Sequence, residues 1–75
     1  MKTKEEFQRE LGNNLRKIRT MRNWSIEKLA LESGLTYSQV GRLELGRRNP
    51  TAYTIYVLSS TLQIKPADIF EGNDG

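Results

Sequence analysis

Hydrophobic residues recur every three or four positions along most of this 75-residue chain, the spacing that places side chains on one face of an α-helix. The longest such pattern lies in residues 4 to 22. The stripe on one face consists of Phe7, Leu11, Leu15 and Ile18, and it ends at Met21 or Arg22. Thr3 is a suitable N-cap for this first helix. Gly12 costs the helix up to about 1 kcal/mol relative to alanine, so we expect fraying before Leu11.

A second helix is predicted to begin after Ser25, whose hydroxyl can accept a hydrogen bond from a first-turn N–H. Its inward residues are Leu29, Ala30 and Ser33. Gly34 supplies the left-handed residue that ends many helices. Trp24 precedes the N-cap, where an apolar side chain can pack against Leu29 and fix the direction of the incoming chain. We therefore expect Trp24 to belong to the core.

A third helix follows a three-residue break at residues 34 to 36. Thr36 is its predicted N-cap, residues 37 to 45 form the helix, and Gly46 ends it. Two helices joined by a short turn that contains glycine are typical of the helix-turn-helix arrangement, in which the second helix enters the DNA major groove.

A fourth helix is predicted over residues 52 to 62, with Thr51 as its cap. Its inward stripe is Ala52, Ile55, Leu58, Ser59 and Leu62. A second apolar stripe on another face consists of Tyr53, Tyr56 and Val57. A helix that is apolar on two sides lies deep in a core or contacts a partner. In so small a domain we expect a contact between two copies of the chain.

Pro66 begins a short fifth helix, in which Ile69 and Phe70 return to the core or extend the partner contact. Residues 71 to 75 are polar, and we expect them to form a disordered tail. Short turns join the five helices, so the pattern predicts one compact all-α domain with a core of about residues 5 to 70.

Composition excludes several classes of function. The chain contains no cysteine and no histidine, so disulfides, thiolate zinc sites and the commonest general base are all missing. We expect no enzyme activity, no metal site and no cofactor. We also expect no membrane span, no secretory signal and no second domain for a small-molecule ligand, and hence a cytoplasmic protein.

Positive charge is concentrated in residues 16 to 48. The whole chain has a formal net charge of +3, whereas this segment has eight lysines or arginines against three glutamates, a net charge of +5. The remaining residues have four basic and six acidic side chains, a net charge of −2. A DNA-binding surface requires such a concentration, although a solvated helical face would have the same composition.

The pattern resembles the lambda-repressor-like helix-turn-helix proteins, which comprise the phage repressor and Cro group with their bacterial Xre-type relatives. The matching positions are Leu29-Ala30, Gly34-Leu35-Thr36, Val40, Arg42-Leu43-Glu44, Gly46, Arg47-Arg48-Asn49-Pro50 and Leu62. The resemblance covers roughly residues 10 to 70. It implies a five-helix DNA-binding domain that usually binds palindromic operators as a dimer and regulates transcription.

The resemblance puts Tyr37, Ser38 and Arg42 at the positions that contact base edges, and helical geometry independently places them on one face of the third helix. Arg42 is the strongest candidate, since its guanidinium can bind guanine O6 and N7 together. Gln39 lies at the edge of this face as a further candidate. Gly41 lies on the face as well, where it allows close approach to DNA or simply packs on a neighbouring helix.

Phosphate contacts set the register of a protein on DNA rather than its sequence preference. We expect the N-terminus of the second helix to face the DNA backbone. The candidate residues for phosphate contact are Ser25, Lys28, Thr36, Arg47, Arg48 and Asn49. In the family, an acidic residue of the third helix pairs with an arginine of the first helix. The matching pair in this sequence is Glu44 and Arg19.

Two positions depart from the family pattern. The second helix usually begins with a polar residue, often glutamine, that touches phosphate, but this chain has Ile26. The residue before the glycine that ends the third helix is often polar, but this chain has Leu45. The first departure weakens the expected phosphate contact and makes Ile26 a candidate for a packing residue. Leu45 either packs on a sugar or a thymine methyl group or is simply an exposed apolar residue.

Two functions follow from this pattern. The first is a transcriptional regulator that binds double-stranded DNA as a homodimer. The expected dimer interface is Tyr53, Tyr56, Val57 and Phe70. The alternative is a protein-interaction module, such as a DNA-binding antitoxin, that uses the same stripe of the fourth helix to pair with a different protein.

Overall fold

The computed structural model describes residues 1 to 73, and within them it contains five α-helices and no β-strand. The helices are α1 (Lys4–Met21), α2 (Ile26–Ser33), α3 (Tyr37–Glu44), α4 (Ala52–Leu62) and α5 (Pro66–Glu71). The predicted all-α fold is therefore confirmed. None of the described helices is long and apolar enough to cross a membrane. The predicted disordered tail begins too early, because Glu71 is the last residue of α5 and Gly72 is buried as its C-cap. Residues 74 and 75, which end that tail, lie outside the described residues.

The helix starts are determined locally. At each predicted N-cap the side-chain hydroxyl accepts a hydrogen bond from the backbone N–H three residues later, at Thr3, Ser25, Thr36 and Thr51. Such a bond satisfies one of the N–H groups that a helix start leaves unpaired. Glu6 also accepts from the backbone N–H of Thr3, which closes the first turn of α1. The helix is continuous from Lys4 and is not interrupted at Gly12.

One hydrophobic core lies among all five helices. Its buried members are Leu11, Leu15, Ile18, Leu29, Ala30, Val40, Leu43, Ile55, Leu58, Leu62 and Ile69. Trp24 is half-buried and packs against this cluster, as predicted. Because α2 and α3 have eight residues each, they are too short to be stable alone in water. Their placement therefore depends on the core that they share with α1 and α4.

Two residues predicted to face inward are exposed. Met21 is 58% exposed, because the chain leaves the helical path directly after it, with Asn23 in the left-handed conformation (φ 59°). The buried stripe of α1 therefore ends at Ile18, and Arg22, the alternative to Met21, is half-buried. Ala52 is also exposed. It is the first residue of α4, one turn before the buried stripe begins at Ile55.

The C-terminal end of α5 is attached to α1. Asn14 Nδ2 donates to the carbonyl oxygen of Ile69 at 2.9 Å, and Lys17 Nζ donates to that of Gly72 at 3.2 Å. Gly72 is buried and left-handed (φ 77°). These donors satisfy carbonyl groups that a helix C-terminus leaves unpaired, so α5 is held on α1 by polar contacts as well as by the buried Ile69.

Gly12 is buried where α1 lies against α3. A Cβ atom at this position would lie 2.3 Å from the carbonyl oxygen of Leu43 and 2.7 Å from that of Glu44. Both are backbone atoms, so α3 as a whole would have to move to make room. By helix propensity alone, Gly12 destabilises α1. In the fold, however, its missing side chain lets α1 and α3 approach closely.

We predict that Gly12→Ala destabilises the protein by about 1 to 3 kcal/mol, the usual cost of overpacking, despite the higher helix propensity of alanine. Gly41→Ala is the matched control, because a Cβ atom there would meet nothing within 4 Å. The control should gain up to about 1 kcal/mol. Urea unfolding followed by circular dichroism measures both changes. A Gly12→Ala variant as stable as the wild type would contradict the close-approach explanation.

Candidate nucleic-acid interface

The helix α3 has a buried face and an exposed face. Its buried residues are Val40, Leu43 and Glu44. The residues exposed on the opposite side are Tyr37, Ser38, Arg42 and, just after the helix, Leu45. Core packing on one side therefore leaves three predicted base-contacting side chains, together with Leu45, available to a ligand on the other.

Arg42 and Gly41 differ in what they add to this exposed face. Within residues 1 to 73, the Arg42 guanidinium makes no hydrogen bond and no ion pair, so all five of its N–H donors are available. Because no atom of another helix within residues 1 to 73 lies within 4 Å of a Cβ built on Gly41, this glycine does not pack on a neighbouring helix. It leaves a gap in the face between Tyr37 and Leu45.

The side chain of Gln39 is partly used by the helix itself. Gln39 Oε1 accepts from the backbone N–H of Thr36 at 2.8 Å, and Thr36 Oγ1 accepts from the backbone N–H of Gln39 at 3.0 Å. This reciprocal pair is a capping box. It leaves the amide NH₂ of Gln39 as the group that could contact DNA, and it occupies the Thr36 N–H.

Two candidate phosphate contacts lie at the start of α2. Ser25 Oγ accepts from the backbone N–H of Lys28 at 3.0 Å, which leaves the hydroxyl hydrogen as a donor. Lys28 Nζ lies 4.9 Å from the centroid of the Trp24 ring, a cation–π contact that restrains the ammonium group. The positive charge of Lys28 is thereby held near the N-terminal end of α2.

The remaining phosphate candidates are in the loop between α3 and α4. Arg47, Arg48 and Asn49 are all exposed. This loop leaves α3 through Gly46, which is left-handed (φ 72°) and lies so close to α1 that a Cβ would be 2.9 Å from the Cα of Arg9. The basic loop is therefore attached to α1 at its first residue.

Arg19 and Glu44 form a buried ion pair between α1 and α3. Arg19 Nε donates to Glu44 Oε2 at 2.6 Å, and Arg19 Nη2 donates to Glu44 Oε1 at 2.8 Å. Each residue is only 8% exposed. The hydrogen bonds to Glu44 raise the pKa of Arg19, although burial opposes this shift. Arg19 Nη1 also donates to the carbonyl oxygen of Trp24 at 2.7 Å, so one guanidinium connects α1, α3 and the turn before α2.

An open groove with a volume of about 650 Å³ runs between α1 and α3. Its lining residues are Arg9, Asn13, Arg16, Arg19, Ile26, Tyr37, Gly41, Glu44 and Leu45. Both departures from the family pattern, Ile26 and Leu45, therefore lie in the same groove.

No contact was predicted from the sequence for Arg9, Asn13 and Arg16 of α1. Their spacing of four and three residues, which puts them on one helical face, is the signal that could have identified them.

The sequence model of the helix-turn-helix family HTH_3 matches residues 15–69, most of the chain. The chain belongs to this family. The predicted resemblance to Xre-type and lambda-repressor-like proteins is thus confirmed. The matched segment includes α2, α3, α4 and both members of the Arg19–Glu44 pair.

Relatives of known class agree with the family. The chain is 30% identical over 64 residues to the uncharacterized HTH-type transcriptional regulator y4dJ of Sinorhizobium fredii, matching 85% of this chain and 83% of the relative. It is 28% identical over 60 residues, 80% of this chain, to the transcriptional regulator SutR of Escherichia coli, but spans only 34% of that protein.

One solved structure is similar to this chain over nearly the whole length of the solved protein. The restriction-modification controller protein C.AhdI from Aeromonas hydrophila superimposes with a TM-score of 0.81 at 39% identity, covering 83% of this chain and 94% of that protein. The protein is therefore a transcriptional regulator with a helix-turn-helix DNA-binding fold, a class that is not enzymatic. The alternative of an antitoxin receives no support from these relatives.

We predict that Glu44→Gln destabilises the protein by about 3 to 5 kcal/mol, because it leaves the buried Arg19 charge without its partner. Glu32→Gln removes the same charge from an exposed position of α2 and should change stability by no more than about 0.5 kcal/mol. Urea unfolding of the two variants measures the difference. Equal stabilities would show that the pair does not hold α3 in place.

Proposed function

We propose that the protein binds double-stranded DNA sequence-specifically as a homodimer, with α3 in the major groove. The observation that carries this proposal is the exposed face of α3, where Tyr37, Ser38 and Arg42 project from a helix whose other side is buried. A contact helix must hold its orientation to select a sequence, and the buried Arg19–Glu44 pair provides that restraint.

Arg42 is the main base contact in this proposal. Its unpaired guanidinium can donate two hydrogen bonds to guanine O6 and N7, a contact worth about 1 to 3 kcal/mol of discrimination against another base. The gap at Gly41 lets the helix lie close to the bases, and Leu45 can contact a thymine methyl group. Ser38 and Tyr37 add donors or acceptors, and the amide NH₂ of Gln39 can donate at the edge.

Phosphate contacts on both ends of the helix-turn-helix would set the register. The start of α2 offers first-turn N–H groups, the Ser25 hydroxyl and the Lys28 ammonium group to one phosphate strand. Arg47, Arg48 and Asn49 extend from the loop after α3. The hydroxyl of Thr36 is a further donor, although its backbone N–H is already used by Gln39.

The exposed aromatic residues of α4 and α5 support a dimer contact. Tyr53 is 73% exposed and Tyr56 is 61% exposed, and their ring centroids are 6.2 Å apart. Phe70 stacks on Phe7 with 6.0 Å between centroids, and Val57 is half-buried beside the tyrosines. Exposed apolar clusters of this kind mark protein contacts. A second copy bound there would present two α3 helices to half-sites about 34 Å apart.

We predict that Arg42→Ala changes the DNA sequence that the protein selects, because it removes the guanine contact. Arg47→Ala with Arg48→Ala should instead weaken binding to all duplexes alike and reduce the salt dependence, as expected for phosphate contacts. Selection from random duplexes, followed by titration at several salt concentrations, separates the two effects. If Arg42→Ala selects the wild-type sequence, Arg42 does not contact the bases.

We predict that Tyr53→Glu combined with Tyr56→Glu converts a dimer into a monomer and reduces affinity for a two-half-site operator. Leu31→Glu is the control, since Leu31 is also a large hydrophobic residue and is 80% exposed but lies on α2. Sedimentation at tens of micromolar measures the oligomeric state. A monomeric wild type would contradict the homodimer and favour a different partner protein.

A further inference from the structure

A polar stripe on α1 has no role in the fold or in the contacts proposed above. It consists of Arg9, Asn13, Arg16 and Thr20, spaced four, three and four residues apart, and all four are exposed. This spacing puts them on one face of the helix. In the described part of the chain, the side chains of Arg9, Asn13 and Arg16 make no hydrogen bond and no ion pair. Their donors are therefore available to a ligand.

The stripe lies beside the proposed DNA-contacting face. Arg9, Asn13 and Arg16 line the groove of about 650 Å³ whose other wall includes Tyr37 and Gly41 of α3. The same stripe continues past this groove, where Asn13, Arg16 and Thr20 line a second shallow cavity of about 440 Å³. The edge of α3 at Tyr37 and Gly41 is thus bordered by Arg9, Asn13 and Arg16, whereas Thr20 lies beyond this groove and its hydroxyl donates to the carbonyl oxygen of Lys17.

The charge of this groove is positive. Glu44 is the one acidic residue among those that line it, and the bidentate contact with Arg19 neutralises it. Arg9 and Arg16 therefore contribute two positive charges without a negative charge opposite them. Glu10, the acidic residue next to Arg9 in the sequence, is paired with Lys2.

We propose that Arg9, Asn13 and Arg16 bind the phosphodiester backbone of the DNA that α3 contacts, an inference that rests on the function proposed above. A helix with its side chains is about 10–12 Å in diameter and the major groove is about 12 Å wide. A helix in the groove consequently has a phosphate strand on each side. The α1 stripe borders α3 at the Tyr37–Gly41 edge, whereas Arg42 lies about 100° further around the helix.

The spacing of the two arginines suits one DNA strand. Arg9 and Arg16 are seven residues apart, which is about 10 Å along the axis of α1. Successive nucleotides of one strand rise about 3.4 Å along the duplex axis, so an α1 aligned with that axis would place the arginines about three nucleotide steps apart. Asn13 lies between them and can donate to one of the two intervening phosphates through its amide NH₂.

The test uses the full chain and a duplex obtained by selection with the wild type. Arg9→Gln and Arg16→Gln, alone and together, remove charge at exposed positions and keep helix propensity. Lys65→Gln removes the same charge at the start of α5, which packs on α1 and α4, and serves as the matched control. Arg16→Lys keeps the charge. Affinity is measured by fluorescence anisotropy from 50 to 200 mM salt, and folding is verified by circular dichroism.

We expect each Gln variant to weaken binding to every duplex alike and to lower the slope of log K against log salt by about 0.9 for each phosphate that is no longer neutralised. The selected sequence should stay unchanged, Arg16→Lys should retain the wild-type slope, and Lys65→Gln should behave as the wild type. A folded double variant with wild-type affinity and slope overturns the α1 contact but not the function proposed for α3. A wild type that binds no duplex overturns both.

Discussion

The position of α3 depends on one buried ion pair. Arg19 and Glu44 make two parallel hydrogen bonds, and the third guanidinium donor reaches the carbonyl oxygen of Trp24. A pair of this kind contributes little net stability compared with apolar residues of similar size, but removing one partner is costly because the other charge stays buried. The main effect of this ion pair is on the orientation of α3 rather than on stability. A bidentate contact fixes both the distance and the orientation of α3 on α1, which packing of short apolar side chains alone specifies less strictly.

The same helix contact determines the shape of the candidate DNA surface. Gly12 lets the backbone of α3 lie directly on α1, and Gly46 lets the following loop lie on Arg9 in the same way. Because the helices are this close, the polar stripe of α1 and the exposed face of α3 border one groove. The proposed base contacts of α3, the proposed phosphate contacts of the basic loop and the polar stripe of α1 therefore all depend on how α3 packs on α1, whereas the exposed aromatic residues of α4 and α5 do not line this groove.

Most elements of the fold could be predicted from local chemistry. Thr3, Ser25, Thr36 and Thr51 cap the helices that follow them, and the buried stripes of α1 and α4 have the expected helical spacing. The two residues whose burial was wrongly predicted lie at helix ends, where helical periodicity no longer determines which side chains are buried. Met21 and Ala52 continue the apolar pattern by one position, but the core does not extend to them. From the sequence, only the helix propensity of Gly12 could be considered. The pattern of residues along one helix does not show that the backbone of another helix, here α3, packs against this position.

The sequence by itself determined which residues form helices, where those helices begin, and which side chains of α3 share a face, because capping and the 3.6-residue period act over a few residues. Only the tertiary structure decided that Gly41 faces open space and that Arg9, Asn13 and Arg16 border the same groove as Tyr37. Those facts depend on how α1 lies on α3. The helix-turn-helix spacing therefore indicated the class of protein, whereas the close contact between α1 and α3 determines the shape of the surface that we propose binds DNA.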